Sequence, residues 1–353
     1  MIRISAAIMH HPRRAHRIPS LLRACAPLAP TVVPDPEPEG KPSPLRTAKR
    51  AWAAIDDDAT HHLVLQDDVR LAPGFAAQLH DAVARRPAHG VSSFCLWHTP
   101  HNSYLVRRAA VAGAAYAPLS LYEWTPTQAF VLPVEHARAL ADYLAGIPDE
   151  VQDDDEMVVI FCRERGIPVV TTVPHLMDHG HAESLVEGHS DGLRATVFAP
   201  DLRWPADHPS ADLELPPGAY TVALQDSVCS IRLMHGDPVE HEFGWYWYDA
   251  CPLAGVDPEE VLDAGAPHLS GLPARAASAM TEVWAACYLL GVDVARSAPS
   301  STGCGPLMPA AVESWIDQGL TRQDHRELRE DCVRLALAAV RQGMGERKFA
   351  DAS

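Results

Sequence analysis

The stretch HHLVLQDDVRLAPGF, residues 61–75, places two adjacent carboxylates directly after a short apolar run. The run at 63–65 is continuously apolar, a pattern typical of a strand that is covered on both faces. Asp67 and Asp68 follow at its carboxyl end, which is the edge where open α/β sheets bind ligands. The stretch therefore predicts a buried strand whose end carries polar groups for a ligand, with a solvated acidic turn as the alternative.

Apolar strands alternate with helical patterns along the first 200 residues. Further strands are predicted at 2–9, 31–33, 91–97, 127–133 and 167–173. Helical spacing of apolar residues predicts helices over 14–25, 45–55, 75–83, from 134 onward and over 153–166. Residues 98–126 have neither period, so we expect them to be irregular. The alternation predicts an α/β fold with a Rossmann-like, mostly parallel sheet and flanking helices.

A proline-rich segment divides the chain. At 353 residues the chain is long enough for two domains, and 47% hydrophobic residues suffice for their cores. Residues 201–218 hold many prolines and little periodicity, which predicts a linker between a domain at 1–200 and an accessory domain at 219–353. The accessory domain begins with a predicted hairpin and continues as helices. Its apolar stripe consists of Leu328, Cys332, Leu335 and Ala339.

The charge and the apolar runs restrict the partners. A net charge of −17 disfavours nucleic acid and anionic membranes. No apolar run approaches the roughly 18 to 20 residues of a membrane span. The basic cluster near the N-terminus follows the apolar stretch, the reverse of a signal peptide, and the eight scattered cysteines form no C-x-x-C pair. We therefore expect a cytoplasmic protein with reduced cysteines, and assembly into a homo-oligomer is left open.

Three polar groups follow strands or begin helices in the predicted sheet. They are the pair Asp67 and Asp68, the acidic cluster at 153–156, and the histidines His179 and His181 after the strand at 167–173. In a parallel sheet such positions converge on one edge. Carboxylate oxygens with an imidazole suit Mn²⁺ or Mg²⁺, and the phosphates of a substrate commonly complete the coordination. The pattern therefore indicates a site for a nucleoside diphosphate.

These motifs resemble those of the GT-A-type glycosyltransferases over about residues 1–200. The matching stretches are LVLQDDV for the D-x-D motif, DDDEM for a later acidic motif at a helix start, and VPHLMDHGHAESLVEG for a histidine loop. The resemblance implies a GT-A-like fold, a nucleotide-sugar donor with a UDP-sugar as the expected one, and a divalent cation, Mn²⁺ or Mg²⁺. It implies a hexosyltransferase-like enzyme, and the acceptor is not specified.

The resemblance also implies roles on the donor side. Asp68 would hold the metal ion against the diphosphate, and His179 would be the ligand from the later loop. Asp67 would orient the donor, and Gln66 would hydrogen-bond its ribose or sugar, although many family members have an acidic residue there. Asp35, after the second strand, would bind the nucleoside.

Basic and acidic side chains on helices complete the candidate site. Lys49 or Arg46 would meet phosphate, with a solvated helix face as the alternative. In inverting members of the resembled family, a carboxylate of the second acidic motif is the general base that takes the acceptor proton, which here indicates Asp154 or Asp155. The alternative is an acidic helix cap without catalysis.

Two other functions fit the same residues. The first is a metal-dependent phosphohydrolase or nucleotidyltransferase that uses the same carboxylates. The second is a non-catalytic nucleotide-binding module in which the acidic clusters serve only as caps. An effect of the acceptor on donor hydrolysis distinguishes a transferase from the first, and divalent-ion and nucleotide binding are the tests for the second.

Overall fold

The structure, a computed structural model, describes residues 2–41, 43–123, 126–151, 153–179, 194–202, 213–216, 218, 220–234, 244–298 and 305–345. The chain forms two compact units. The first comprises residues 1–96 and 119–203, and the second comprises residues 97–118 and 204–353. The second unit therefore includes an internal segment, 97–118, that the sequence analysis assigned to the first domain. The linker at 201–218 stays a prediction, since residues 203–212 lie outside the described part.

The first unit is built on strands and flanking helices. Its strands are β1 (Ile4–His10), β2 (Thr31–Pro34), β3 (His61–Gln66), β4 (Val69–Leu71), β5 (Gly90–Ser92), β7 (Ala129–Pro133), β8 (Val169–Thr172) and β9 (Met177–His179). Its α-helices are α1 (Ile18–Cys25), α2 (Pro44–Ala53), α3 (Phe75–Arg85), α5 (Val134–Ala145) and α6 (Asp154–Arg165). A 3₁₀ helix at Pro12–Arg17 joins β1 to α1.

Six of these strands are neighbours in one sheet, in the order β2-β1-β3-β7-β5-β8. The pairs β1 with β2, β1 with β3, and β5 with β8 are parallel, whereas β7 runs antiparallel to both of its neighbours. The sheet is therefore mixed but mostly parallel. This confirms the predicted α/β class, and the finer likeness to the GT-A fold stays a prediction.

The apolar run that opened the sequence analysis is the centre of this sheet. Leu63, Val64 and Leu65 are at most 1% exposed, as expected for a strand covered on both faces. Helix α2 covers β1 and β3 with a face that includes the fully buried Leu45 and Trp52. Because both faces of β3 are covered, the polar residues after it are fixed at the edge of a rigid sheet.

A second, two-stranded sheet lies beyond the end of β3. Strand β4 pairs antiparallel with β9, and Val69 lies opposite His179. The Ala72 N–H donates a hydrogen bond of 2.8 Å to the Leu176 carbonyl, which extends the pairing by one step. These two short strands bring the segment after β8 beside the residues after β3.

The second unit is mainly helical, as the sequence predicts for the C-terminal part. Its strands are β6 (Tyr116–Pro118), β10 (Tyr220–Gln225), β11 (Val228–Leu233) and β12 (Trp245–Tyr246). Its helices are α4 (Asn102–Ala112), α7 (Trp247–Ala250), α8 (Pro258–Leu269), α9 (Ala274–Ser297), α10 (Met308–Gly319) and α11 (Arg322–Gly343), with a 3₁₀ helix at Cys251–Ala254. Strands β10 and β11 form the predicted hairpin. A β-carbon at Gly291 would collide with the Val340 carbonyl, so the close packing of α9 on α11 needs glycine there.

The prediction of an irregular segment at 98–126 is wrong, because this segment includes α4. Every residue of α4 is buried, Arg107 and Arg108 included. Arg108 forms an ion pair of 3.1 Å with Asp293, and Arg107 lies over the ring of Trp315. A helix surrounded on all sides has no polar face, so its sequence shows no amphipathic period.

Among the described residues, no helix combines the length and the apolar character needed to cross a membrane.

Candidate functional site

The carboxyl ends of the parallel strands of the first unit share one edge with the start of β7. The Gln66 N–H donates a hydrogen bond of 2.9 Å to the Gln128 carbonyl, so the residues after β3 lie beside those before β7. On the other side, the Asp35 N–H donates a bond of 2.8 Å to the His10 carbonyl. This edge is the one where open α/β sheets bind ligands. Its polar side chains include Asp35, His10, Asp67, Asp68, Gln128, Ser93 and Thr172.

Asp67 is held by the segment that follows β1. Its Oδ2 accepts a hydrogen bond of 2.8 Å from the His11 N–H and lies 3.0 Å from His10 Nδ1. Its Oδ1 accepts a bond of 3.1 Å from Arg14 Nη1. Asp67 therefore anchors the 3₁₀ segment to the end of β3. The predicted donor-orienting role of Asp67 stays a prediction, as does that of the half-buried Gln66.

The two carboxylate oxygens of Asp68 differ in their contacts. Its Oδ2 accepts a bond of 2.9 Å from Arg14 Nη1 and lies 3.7 Å from His179 Nε2. Its Oδ1 is buried and has no hydrogen-bond partner in the part of the chain described. A buried carboxylate oxygen without a partner is costly unless a ligand or an ion satisfies it.

The pairing of β4 with β9 explains why His179 is close to Asp68. Val69, the first residue of β4, lies opposite His179, and Asp68 directly precedes Val69. Arg70 and Asp178, the next pair in the register, form an ion pair of 3.0 Å across the two strands. The structure thus brings together the two predicted metal ligands. His181, the second histidine of that loop, lies outside the described residues.

The side chains present fit a divalent ion only in part. Asp68 and His179 supply a carboxylate oxygen and an imidazole nitrogen, a donor set that Mn²⁺ accepts. Within the described ranges no group of three or more His, Cys, Asp or Glu residues is arranged to hold a metal ion. A divalent ion at Asp68 would therefore need substrate oxygens to complete its coordination, as phosphates commonly do.

The three aspartates at the start of α6 lie in different environments. Asp153 is the N-cap, and the Asp155 side chain accepts a bond of 2.8 Å from the Glu156 N–H. Asp154 is 4% exposed, and its Oδ2 has no hydrogen-bond partner among the described residues. Burial, with a smaller contribution from the charge of Asp155, raises the pKa of Asp154 to about 7, although a hydrogen bond from Thr127 opposes this. Burial also raises the pKa of Asp155.

Asp154 is connected to the same edge of the sheet. Its hydrogen-bond partner Thr127 directly precedes Gln128, whose carbonyl accepts from the Gln66 N–H. Because neighbouring strands lie about 4.8 Å apart, Thr127 is only about one strand spacing from the residues that follow β3. The two predicted acidic sites therefore belong to one region. A carboxyl group with a pKa near neutrality is suited to proton transfer.

Asp35 is occupied by a neighbouring arginine. Arg46 donates bonds of 3.0 Å and 3.2 Å to its two oxygens, and the Glu37 N–H donates a third of 3.0 Å. Burial acts to raise the pKa of Asp35, but the bonds from Arg46 and Glu37 outweigh it and lower that pKa. The pair fixes the loop between β2 and α2. The predicted nucleoside-binding role of Asp35 and phosphate-binding role of Arg46 are not tested by this pairing and stay predictions.

Lys49 forms its hydrogen bonds with the loop after α5 and not with residues at the end of β3. Its Nζ donates a hydrogen bond of 2.5 Å to the Ile147 carbonyl and another of 2.5 Å to Asp149 Oδ1. These bonds tie α2 to the loop after α5. The phosphate-binding role of Lys49 stays a prediction, and it would require Lys49 to leave both partners.

Several buried polar atoms at this edge share one property. In the described part of the chain, the following side-chain atoms are buried and have no hydrogen-bond partner: Asp68 Oδ1, Ser93 Oγ, Gln128 Oε1, Asp154 Oδ2 and Thr172 Oγ1. Asp68 and Ser93 follow β3 and β5, Thr172 is the last residue of β8, Gln128 precedes β7, and Asp154 is connected to that edge through Thr127. Buried polar groups are normally hydrogen-bonded, so these five atoms are the candidates at this edge for contacts with a polar ligand.

The basic residues of this site were missed by the sequence analysis. His10 and Arg14 contact Asp67, Arg14 also contacts Asp68, and Arg17 Nη2 donates a bond of 3.1 Å to the Asp68 carbonyl. The signal was present in HHPRRAHR, residues 10–17, which directly follows the first strand. A basic run after a strand that neighbours β3 lies at the same sheet edge as Asp67 and Asp68.

No protein-family model matches this chain, and no curated protein matches it either.

Proposed function

We propose that the protein is a glycosyltransferase with a GT-A-like first domain that uses a nucleoside-diphosphate sugar and a divalent cation. The main support is Asp68, whose buried Oδ1 has no partner in the described residues while its Oδ2 lies near His179 and Arg14. A carboxylate, an imidazole and a guanidinium at the end of a central strand suit a diphosphate with its counter-ion.

The donor side of the proposed site consists of residues after β1, β2 and β3. Asp68 and His179 would hold Mn²⁺ or Mg²⁺, which when bound would neutralise the charge that develops on the departing diphosphate. Asp35 lies after β2, two strands from β3 and therefore about 10 Å away along the edge, which suits a nucleoside attached to that diphosphate. The UDP-sugar implied by the family resemblance is the first donor to test.

The acceptor side of the proposed site is Asp154. As a carboxylate, Asp154 accepts the proton of the acceptor hydroxyl while that oxygen bonds to the anomeric carbon. The bond from the anomeric carbon to the diphosphate oxygen breaks, and the nucleoside diphosphate leaves with the bonding electron pair. A single displacement of this kind inverts the anomeric configuration. Asp155, whose side chain accepts the hydrogen bond from the Glu156 N–H, has no catalytic role in this scheme.

Donor turnover with and without acceptors tests the proposal. Release of nucleoside diphosphate from UDP-sugars is measured with Mn²⁺, and a panel of simple sugars and alcohols is then added. A transferase is accelerated by at least one acceptor, and the Asp154→Asn variant loses this acceleration. Hydrolysis that no acceptor changes would instead support the metal-dependent phosphohydrolase.

The pairing of Arg14 with Asp67 and Asp68 also favours a second candidate, a non-catalytic nucleotide-binding module. Arg14 compensates the charge of these carboxylates through ion pairs of 3.1 Å and 2.9 Å. Such a module would bind a nucleotide in the presence of EDTA and release no nucleoside diphosphate from any sugar nucleotide. A requirement for Mn²⁺ in binding would exclude it.

A further inference from the structure

Arg14 bonds to both carboxylates at the end of β3 through a single nitrogen. Its Nη1 lies 3.1 Å from Asp67 Oδ1 and 2.9 Å from Asp68 Oδ2. The three side chains are nearly buried, with exposures of 13% for Arg14, 4% for Asp67 and 8% for Asp68. Solvent therefore screens these charges weakly, and Arg14 is firmly held in this arrangement.

A divalent cation at Asp68 would lie close to this guanidinium. Asp68 Oδ2, which accepts from Arg14, is also the oxygen that lies 3.7 Å from His179 Nε2. A cation held between Asp68 and His179 would meet the positive charge of Arg14, and like charges repel strongly at a buried site. Arg14 and a divalent cation would therefore compete for the same carboxylate.

We propose that Arg14 is an exchange residue, which occupies Asp68 in the free protein and moves to the donor diphosphate as the divalent cation binds. This inference rests on the proposed function. Guanidinium groups bind phosphate oxygens through paired hydrogen bonds, so Arg14 exchanges one anionic partner for another. The diphosphate supplies negative charge for Arg14 and oxygen ligands for the cation at the same time.

The exchange couples metal binding to nucleotide binding. Without a nucleotide, Arg14 keeps Asp68 and the affinity for a divalent cation is low. With a diphosphate present, Arg14 leaves Asp68 and the cation binds more tightly. By reciprocity the cation strengthens nucleotide binding by the same factor.

The affinity for Mn²⁺ alone tests this role, measured by electron paramagnetic resonance in the absence of nucleotide. In Arg14→Gln the competing cation is gone, so Mn²⁺ should bind about 5- to 150-fold more tightly, the usual range of such couplings. Arg13→Gln, which removes an exposed arginine of the same 3₁₀ segment, is the matched control and should leave Mn²⁺ affinity unchanged. The dissociation constant is then measured again with saturating UDP, where Arg14→Gln should gain less from the nucleotide than the wild type does.

If Arg14 has only a structural role, Arg14→Gln should change the Mn²⁺ affinity in the opposite direction. If Arg14 only holds the loop, Arg14→Gln loosens the site, and Mn²⁺ binds equally or more weakly, which overturns the inference. Arg14→Lys keeps a cation beside the two carboxylates and serves if Arg14→Gln does not fold. Its shorter and unforked side chain should compete less, so Mn²⁺ should bind more tightly than to the wild type by a smaller factor, and unchanged or weaker binding overturns the inference.

Failure of the proposed function has a different signature. If the wild type binds neither Mn²⁺ nor UDP when both are present, the metal-dependent donor site itself is wrong, and the exchange falls with it. If the wild type binds both and Arg14→Gln gives no tighter Mn²⁺ binding without nucleotide, only the exchange role is wrong.

Discussion

His179 Nε2 lies 3.7 Å from Asp68 Oδ2 because Val69 and His179 are opposite each other in the β4–β9 ladder. This ladder, rather than the central sheet, positions the histidine. His179 is the last residue of β9 and Asp68 directly precedes β4, so both candidate ligands are positioned by the pairing of two strands of only three residues each. Two protein ligands alone do not complete the coordination of a divalent ion, so substrate oxygens would have to do so. Because there are only two protein ligands, the loss of either one should measurably weaken binding.

His179→Gln should weaken Mn²⁺-dependent nucleotide binding without abolishing it. The substitution removes one neutral nitrogen ligand, while the anionic Asp68 remains. We expect the dissociation constant to rise about tenfold, which corresponds to about 1.4 kcal/mol. Titration calorimetry with UDP and Mn²⁺ measures the change. His80→Gln, which alters a half-exposed histidine on α3, is the control and should bind as the wild type does. Unchanged affinity in His179→Gln would exclude His179 as a ligand.

The sequence predicted the acidic residues and the histidine of the candidate site, but it did not predict the basic residues beside them. The apolar run of β3 with Asp67 and Asp68, the acidic start of α6 and the histidine after β8 could be recognised because strand ends and helix starts have local signals. Arg14 could not be placed in the same way. Its contacts with Asp67 and Asp68 join residues more than 50 positions apart and depend on the parallel pairing of β1 with β3.

Three structural features left no local signal in the sequence. Strands β4 and β9 are too short for a period, and their pairing is a long-range contact. Helix α4 is buried on all sides, so it has no polar face to reveal the helical repeat. The orientation of β7 was also unpredictable, because an apolar run between polar segments is the same in either direction.

Asp154 should determine the pH dependence of turnover. Its pKa of about 7 means that the carboxylate, the form that accepts a proton, predominates only above neutrality. We expect the transfer rate to rise with pH through about 7 and then level off. Asp154→Asn should reduce turnover about 10²- to 10⁴-fold with donor affinity nearly unchanged.

Asp155→Asn is the matched control for the loss of turnover. Its side chain accepts from the Glu156 N–H, a bond that asparagine can keep. The variant should retain the plateau rate of the wild type, with at most a small loss of thermal stability. Its pH profile should shift toward lower pH, because the charge of Asp155 contributes to raising the pKa of Asp154. A wild-type rate that is independent of pH between 5 and 9, or full activity in Asp154→Asn, would refute the base assignment.

The same carboxyl group should destabilise the fold at alkaline pH. A pKa raised from 3.8 to about 7 means that the folded protein binds this proton more tightly than the unfolded chain does. The stabilising contribution of the Asp154 carboxyl group is fully present below about pH 4 and is lost as the pH rises through 7. The full loss corresponds to an order of magnitude of about 4 kcal/mol.

Asp154→Asn should remove this pH-dependent penalty. Its melting temperature relative to that of the wild type should rise between pH 4 and 7 and remain constant above 8. The comparison is made by thermal unfolding of both proteins in the same buffers. A difference between the two proteins that does not change with pH would mean that Asp154 is ionised in the folded state across the whole range.

The most direct measurement is a thermal-shift comparison of the wild type with Asp68→Asn, using nucleoside diphosphates and sugar nucleotides with Mn²⁺ or with EDTA. Asparagine keeps the size of Asp68 but loses the charge that would hold the cation. Asp58→Asn, a change at an exposed carboxylate paired with Arg3, is the control. A ligand at one hundred times its dissociation constant adds about 2.7 kcal/mol of apparent stability. We expect at least one diphosphate to raise the melting temperature of the wild type and of Asp58→Asn with Mn²⁺ only, and to leave that of Asp68→Asn unchanged. An equal Mn²⁺-dependent shift in Asp68→Asn, or no shift of the wild type with any of these ligands, would contradict a metal-dependent donor site at the end of β3.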